Sequence, residues 1–209
     1  MANKALERRA YDFDVTGEDN IITGRPIVYN SKTDIGGYFA EVIESGALDN
    51  TDLRDVRFLV NHDLSKIPLA RSRRNNGNST MLLTVDNEGM GIRVTLDTEN
   101  NADARALYSA VQRGDITGMS FMFSVDSEEW DDLESDYPTR RIKSIGSVVE
   151  VSAVTFPAYD ATEINARSAE ALDNARAAVE TAKQQRADAV DTALELEKAK
   201  TLIIGGFRS

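Results

Sequence analysis

Hydrophobic and polar positions keep a short rhythm through residues 1–166, interrupted once by a helical one. The segment DVRFLVNH alternates with period two, so a strand there puts Val56, Phe58, Val60 and His62 on one face. MLLTVDNEGMGIRVTL is two apolar runs around the turn residues Asp86 to Gly89, the pattern of a hairpin. ALERRAYDFDV and IITGRPIVYN are rich in β-branched and aromatic residues and broken by Gly and Asn, which predicts two more strands. MSFMFSV and RIKSIGSVVEVSAVTF add a further pair. Between them DSEEWDDLESDYPTRR carries seven acids and one proline, which predicts a solvated hairpin loop.

The interruption is TENNADARALYSAVQRG. Ala104, Leu107 and Val111 recur at spacings of three and four, the signature of one helical face. Thr98 or Asn101 supplies a cap at its start and Gly114 a stop at its end. The helix feeds directly into DITGMSFMF.

After residue 166 the composition changes. AEALDNARAAVETAKQQRADAVDTALELEKAKTLI is built from strong helix formers. Leu172, Ala175, Val179, Ala182, Arg186, Ala189, Ala193 and Leu196 trace a heptad seam, a poor one because most of its members are small and one is an arginine. Such a helix is marginal alone and calls for a partner. GGF at 205–207 ends it. The division predicted is a domain of residues 1–166 and a helical tail of residues 167–209.

Composition removes several functions. There is no cysteine, so no disulfide, thiol nucleophile or thiolate metal site. A single histidine excludes multi-histidine zinc centres, and neither a calcium-loop spacing nor a phosphate-binding glycine loop is present. No metal or cofactor is expected. Net charge is −11; residues 167–209 carry seven basic and seven acidic side chains, so the excess lies in residues 1–166. So acidic a domain is not expected to bind nucleic acid through a basic face. No apolar run approaches a membrane span and the N-terminus lacks an apolar signal core, so a cytosolic protein without membrane contact is expected.

Three residues stand out chemically. His62 ends an apolar strand, Ser120 lies inside GMSFMF, and Glu150 interrupts SVVEVSAV. Buried carboxylates are costly without a partner, so Glu150 either meets a donor or sits on a partly wet edge strand; alternation groups it with Val148, Ser152 and Val154. Ser120 alternates against Met119, Phe121, Phe123 and Val125, of which Phe121 and Phe123 are expected in the core. Separately, each has an ordinary structural explanation. Together they make a Ser-His-acid set: serine needs a base to take its proton, and an acid must fix the tautomer of that base. Glu150, Asp63 and Asp160 are the candidate acids; Asp63 is disfavoured because adjacent strand residues point to opposite faces.

These residues lie in four ordered blocks that resemble the prohead proteases of tailed phages, the capsid-maturation serine proteases related to herpesvirus assemblin. The resemblance runs from Arg8 to about Thr162: GRPIVYNSKTDIGGYFAEVIESGAL, then FLVNHDLSKIPLARS, then ADARALYSAVQRGDITGMSFMF, then VVEVSAVTFPAYDAT with Pro157-Ala158-Tyr159. It implies His62 as general base and Ser120 as nucleophile. The herpesvirus relatives use a second histidine as third member, which this chain lacks, so the role is expected to fall to Glu150. Met122 stands where many members carry glycine. Backbone N–H groups are expected as oxyanion donors, and Arg71 or Arg73 to assist through water or to position substrate.

The fold implied is mostly β (α+β), a compact antiparallel β-barrel of the herpesvirus-protease type with packed helices, plus the C-terminal helical tail. The function implied is a serine endopeptidase acting inside the assembling prohead in the host cytoplasm. Its substrates would be the major capsid protein, its scaffold segment and the protease itself, with the portal as a further partner. A homodimer through barrel or tail helix is a further expectation, with self-cleavage in an exposed linker near Ala166–Ala169. The alternative is a non-catalytic β-barrel scaffold or structural assembly protein, in which Ser120 and His62 are incidental and point to different faces.

Overall fold

The computed structural model describes residues 6–12, 16–155 and 166–206. It is mostly β, in two sheets, with two helices. The sheets do not close on one another, so the expected barrel is corrected to an open two-sheet arrangement. The larger sheet has a central run β1 (Glu7–Asp12), β10 (Gly118–Asp131), β11 (Thr139–Val154), β5 (Phe39–Ile43) and β4 (Lys32–Ile35). At the far end of β11 a second branch adds β6 (Asp55–Val60) and β7 (Ala70–Arg73). The smaller sheet orders β2 (Thr16–Glu18), β3 (Ile21–Val28), β9 (Gly89–Thr95) and β8 (Met81–Asp86).

β11 joins the two branches of the larger sheet. Its 16 residues pair antiparallel with β10 along one edge, while its other edge is shared by β5 at the start and β6 at the end, both parallel to it. Neither parallel partner is its neighbour in sequence, so local alternation carries no sign of them. β10 likewise runs on to Asp131. The acidic segment expected as a loop is therefore strand for its first six residues, and its charges point outward from a hairpin arm.

The second hairpin and the first helix follow the sequence closely, whereas β2, β4, β5 and β7 were not foreseen. β8 and β9 form the expected hairpin. Gly89 has φ of +139°, and a Cβ there would lie 2.0 Å from the carbonyl oxygen of Ile27 on β3, so only glycine lets the strands close up. Helix α1 (Ala102–Gln112) buries Ala104, Leu107 and Val111, the predicted face. Asn101 is its cap: Oδ1 accepts from the N–H of Asp103 at 3.0 Å and of Ala104 at 3.2 Å. Gly114, at φ +75°, lets the chain turn out of the helix toward β10.

The main core lies under the larger sheet and includes Phe58, Met119, Phe121, Phe123, Val148, Val151 and Ala153. The rings of Phe121 and Phe123 stack with centroids 4.8 Å apart. Each of these buried Phe, Met and Val side chains contributes about 1.5–3 kcal/mol. This fixes which face of β10 is core and leaves the even-numbered positions, Ser120 included, on the other.

Helix α2 (Ala166–Gly206) is the predicted tail helix. Val179 packs into a small second cluster with Phe39, Ile35 and Trp130. Val190, Leu194 and Leu196 are exposed. Residues 166–169, expected as an open linker, form the first turn of α2. Pro157, Ala158, Tyr159 and Asp160 lie outside the described residues.

Candidate active site

His62 does not continue the strand, contrary to simple alternation. β6 stops at Val60, and the N–H of Asn61 makes one more sheet bond, to the carbonyl of Ala153 at 3.0 Å. The chain then turns back, with the N–H of Asp63 donating to the carbonyl of Val60 at 3.1 Å. Both central residues, Asn61 (φ 51°) and His62 (φ 57°), are left-handed, the requirement of a type I′ turn. Asn and His are among the residues that tolerate this region best. The Asn61 side chain fastens the turn to the end of β11: it accepts from the N–H of Thr155 and donates to Thr155 Oγ1, each at 3.0 Å.

Glu150 reaches its place through a bulge. Met122 pairs with Glu150 but Phe123 pairs with Val148, so Val149 is an extra residue in β11. The bulge changes the phase of alternation. Val148, Val151 and Ala153 face the core, while Glu150 and Ser152 face the other side with Ser120 and Met122. The edge-strand alternative for Glu150 is thereby corrected: it sits between β10 and β6 and is 1% exposed.

The three side chains meet. His62 Nε2 lies 2.6 Å from Ser120 Oγ, and Nδ1 is hydrogen-bonded to Glu150 Oε1. Glu150 Oε2 accepts from Ser152 Oγ at 2.7 Å, and Ser152 Oγ accepts from the backbone N–H of His62 at 3.0 Å. Ser120 Oγ has a second neighbour, the carbonyl oxygen of Arg9 on β1, at 2.8 Å. A serine hydroxyl has one proton. It is given to His62 Nε2 when that nitrogen is free, and to the Arg9 carbonyl when Nε2 carries a proton of its own.

Asp63, the disfavoured acid, turns away and accepts from Ser65 N–H at 3.1 Å. Arg71 donates to both carboxylate oxygens of Asp55. In register it pairs with Arg57, which pairs with Glu150, so it stands two strands from the acid on the same sheet face. Arg71, Arg73, Arg54 and Arg74 line a groove of about 500 Å3 with Asp52 and Asp55. None of His62, Ser120 and Glu150 lines it. Among the described residues no cluster of His, Asp and Glu is arranged to hold a metal, and no helix is long and apolar enough to cross a membrane.

Sequence reasoning named the serine, histidine and acid but not Ser152 or Asn61. The sign for Ser152 was available: it is a polar residue two places from Glu150, on the same face of the strand.

Residues 4–176 match the family described as Caudovirus prohead serine protease. The chain belongs to that family. The prohead protease of Enterobacteria phage HK97 is 30% identical over 169 residues, covering 78% of this chain and 68% of the relative. The bacteriophage T4 capsid assembly protease superposes with a TM-score of 0.43 and 10% identity, over 74% of this chain and 99% of that structure. The family match spans both sheets, α1, every residue of the Ser120–His62–Glu150 cluster, and the start of α2.

Proposed function

We propose that this chain is the endopeptidase of phage prohead maturation, working through Ser120, His62 and Glu150. The observation that carries this reading is the 2.6 Å approach of Ser120 Oγ to His62 Nε2, with the opposite ring nitrogen held by a buried carboxylate. A non-catalytic scaffold gives no reason for the fold to bring a distant serine and the lone histidine into line with an acid.

In the proposed reaction the Ser120 hydroxyl passes its proton to His62 Nε2 as Oγ bonds to the scissile carbonyl carbon. Glu150 holds Nδ1–H, which keeps Nε2 free to accept, and stabilises the imidazolium that forms. His62 then gives the proton to the leaving amine nitrogen, the C–N bond breaks and an acyl-serine remains. Water repeats the sequence: His62 removes its proton, the hydroxyl bonds to the acyl carbon and Ser120 leaves with the proton returned. Backbone N–H groups supply the oxyanion donors.

The substrates we assign are the major capsid protein, its scaffold segment, and the protease itself, inside the assembling prohead in the host cytoplasm. The portal is a further partner, and a homodimer through the sheet domain or α2 is part of this reading. The exposed apolar residues of α2 support a tethering role toward capsid or scaffold. Self-cleavage at residues 166–169 requires the first turn of α2 to unwind, because proteases bind extended chain.

A fluorophosphonate probe tests the triad without a known cleavage sequence. Peptide mapping of the treated protein should find the adduct on Ser120, and His62→Ala should abolish it. An adduct on another serine, or labelling that survives His62→Ala unchanged, contradicts the reading.

A further inference from the structure

We propose that Ser152 is a positioning residue for the reaction, holding acid and base in fixed relation through one hydroxyl. The inference rests on the triad reading above and adds a fourth member to it. Ser152 is 0% exposed and lies directly opposite Ser120 in the β10–β11 register. Its hydroxyl is used in both senses. The proton goes to Glu150 Oε2 at 2.7 Å, and a lone pair takes the backbone N–H of His62 at 3.0 Å.

These bonds close a ring. From the His62 backbone the path runs through its imidazole to Glu150 Oε1, across the carboxylate to Oε2, through Ser152 Oγ and back to the His62 N–H. Both carboxylate oxygens are engaged, so the group cannot rotate about its Cγ–Cδ bond without breaking one of them. The left-handed backbone at His62 is held at its N–H by the same hydroxyl that holds the acid. A buried carboxylate needs donors for its charge. Here the donors are the imidazole and Ser152. The hydrogen bonds of the Ser152 hydroxyl go to Glu150 and His62 and not to Ser120, so its effect acts through Glu150 and His62.

The rate of Ser120 labelling by a fluorophosphonate, measured across pH, tests this. In that step the Oγ–P bond forms, the P–F bond breaks, fluoride leaves and the hydroxyl proton passes to His62. Ser152→Ala should lower the maximal labelling rate by about tenfold or more, the effect of losing a hydrogen bond to a charged group. The probe concentration for half-saturation should stay the same. The acid limb, set by protonation of His62, should move to higher pH, because a Glu150 carboxylate relieved of the Ser152 hydrogen bond holds the imidazolium more strongly. Ser152→Thr keeps the hydroxyl and should keep the wild-type limb. A merely structural role lowers the unfolding midpoint without moving that limb. Wild-type rate and limb in folded Ser152→Ala overturn the inference, as does a Ser152→Thr limb displaced like that of alanine. Ser120→Ala separates the two ideas. Labelling that persists there sinks the triad itself. An inert Ser120→Ala beside an unaffected Ser152→Ala removes only the role of Ser152.

Discussion

The hydroxyl of Ser120 lies 2.6 Å from Nε2 of His62, across 58 positions of sequence. The contact is made between β10 and a turn that leaves β6, two strands that never pair with each other. β11 lies between them, bonded to both, and carries the acid. The strand that separates base from nucleophile is thus the one that orients the base.

Glu150→Gln should therefore be severe while changing little in shape. A glutamine that turns its NH2 toward Nδ1 forces the ring proton onto Nε2, which then cannot accept from Ser120. The expected loss is on the order of 10^4-fold in kcat, as for an acid-to-amide change in a serine protease triad. Glu150→Ala leaves a void as well and should also lower the unfolding midpoint. Comparing the two by turnover and by thermal melt separates chemistry from packing.

The left-handed turn gives a second expectation. Asn61→Val forces a β-branched residue into φ near +51° and removes both bonds to Thr155, so strain of about 1–3 kcal/mol is expected. Ser120 labelling should fall with it, because the turn aims His62. Asn61→Gly keeps the backbone but loses the Thr155 bonds, and should be milder in both denaturant unfolding and labelling rate.

Away from the site, a charged cluster clamps β1 to the sheet. Arg9 and Arg140 share Glu41, which is 1% exposed, and Arg140 also donates to Glu7 at 2.6 and 2.8 Å. Burial opposes charge on Arg140, yet the carboxylates around it raise its pKa well above the ordinary value. Glu41→Gln leaves two buried guanidinium groups short of a counter-charge. Urea unfolding should show a loss of about 1–3 kcal/mol, because Glu7 and Glu128 still partner the two arginines. Since the Arg9 carbonyl contacts Ser120 Oγ, labelling should change too if β1 loosens.

Acid should act through a few carboxylates. A side-chain hydrogen bond from Arg54 holds Asp52 down to about 2, and one from Arg25 does the same for Asp86, against an ordinary 3.8. Folded-state values below the unfolded ones mean stability that is fully present above pH 3.8 and lost as pH falls toward 2. Glu7 and Glu44 also lie below their ordinary 4.5, so thermal midpoints should be level from neutral pH to about pH 5 and drop between about pH 5 and pH 2. Asp86→Asn should lower the midpoint at neutral pH and shrink that drop.

Much of the site was legible because its chemistry is scarce. One histidine exists, and Glu150 is conspicuous among valines. The helix face of α1 and the β8–β9 hairpin were legible because their partners are local. What escaped depends on register. The extra residue at Val149 shifts alternation, so Val148 was grouped with Glu150 when it belongs to the core. The parallel pairing of β11 with β5 and β6 joins segments about a hundred residues apart, and without it neither the open sheet nor the burial of Glu150 can be foreseen. Two left-handed residues ended β6 early and swung His62 off the expected face. Alternation placed Ser152 on the face of Glu150, but its bond to the His62 backbone depends on that turn and was not legible.

The central claim is most directly tested by co-expressing the chain with the major capsid protein of the same phage and weighing the intact products. With the wild-type chain the capsid protein should lose a defined segment, and with Ser120→Ala it should remain whole. Equal trimming with both, or an intact capsid protein in assembled shells with both, would contradict the assignment of Ser120 as the nucleophile of prohead maturation.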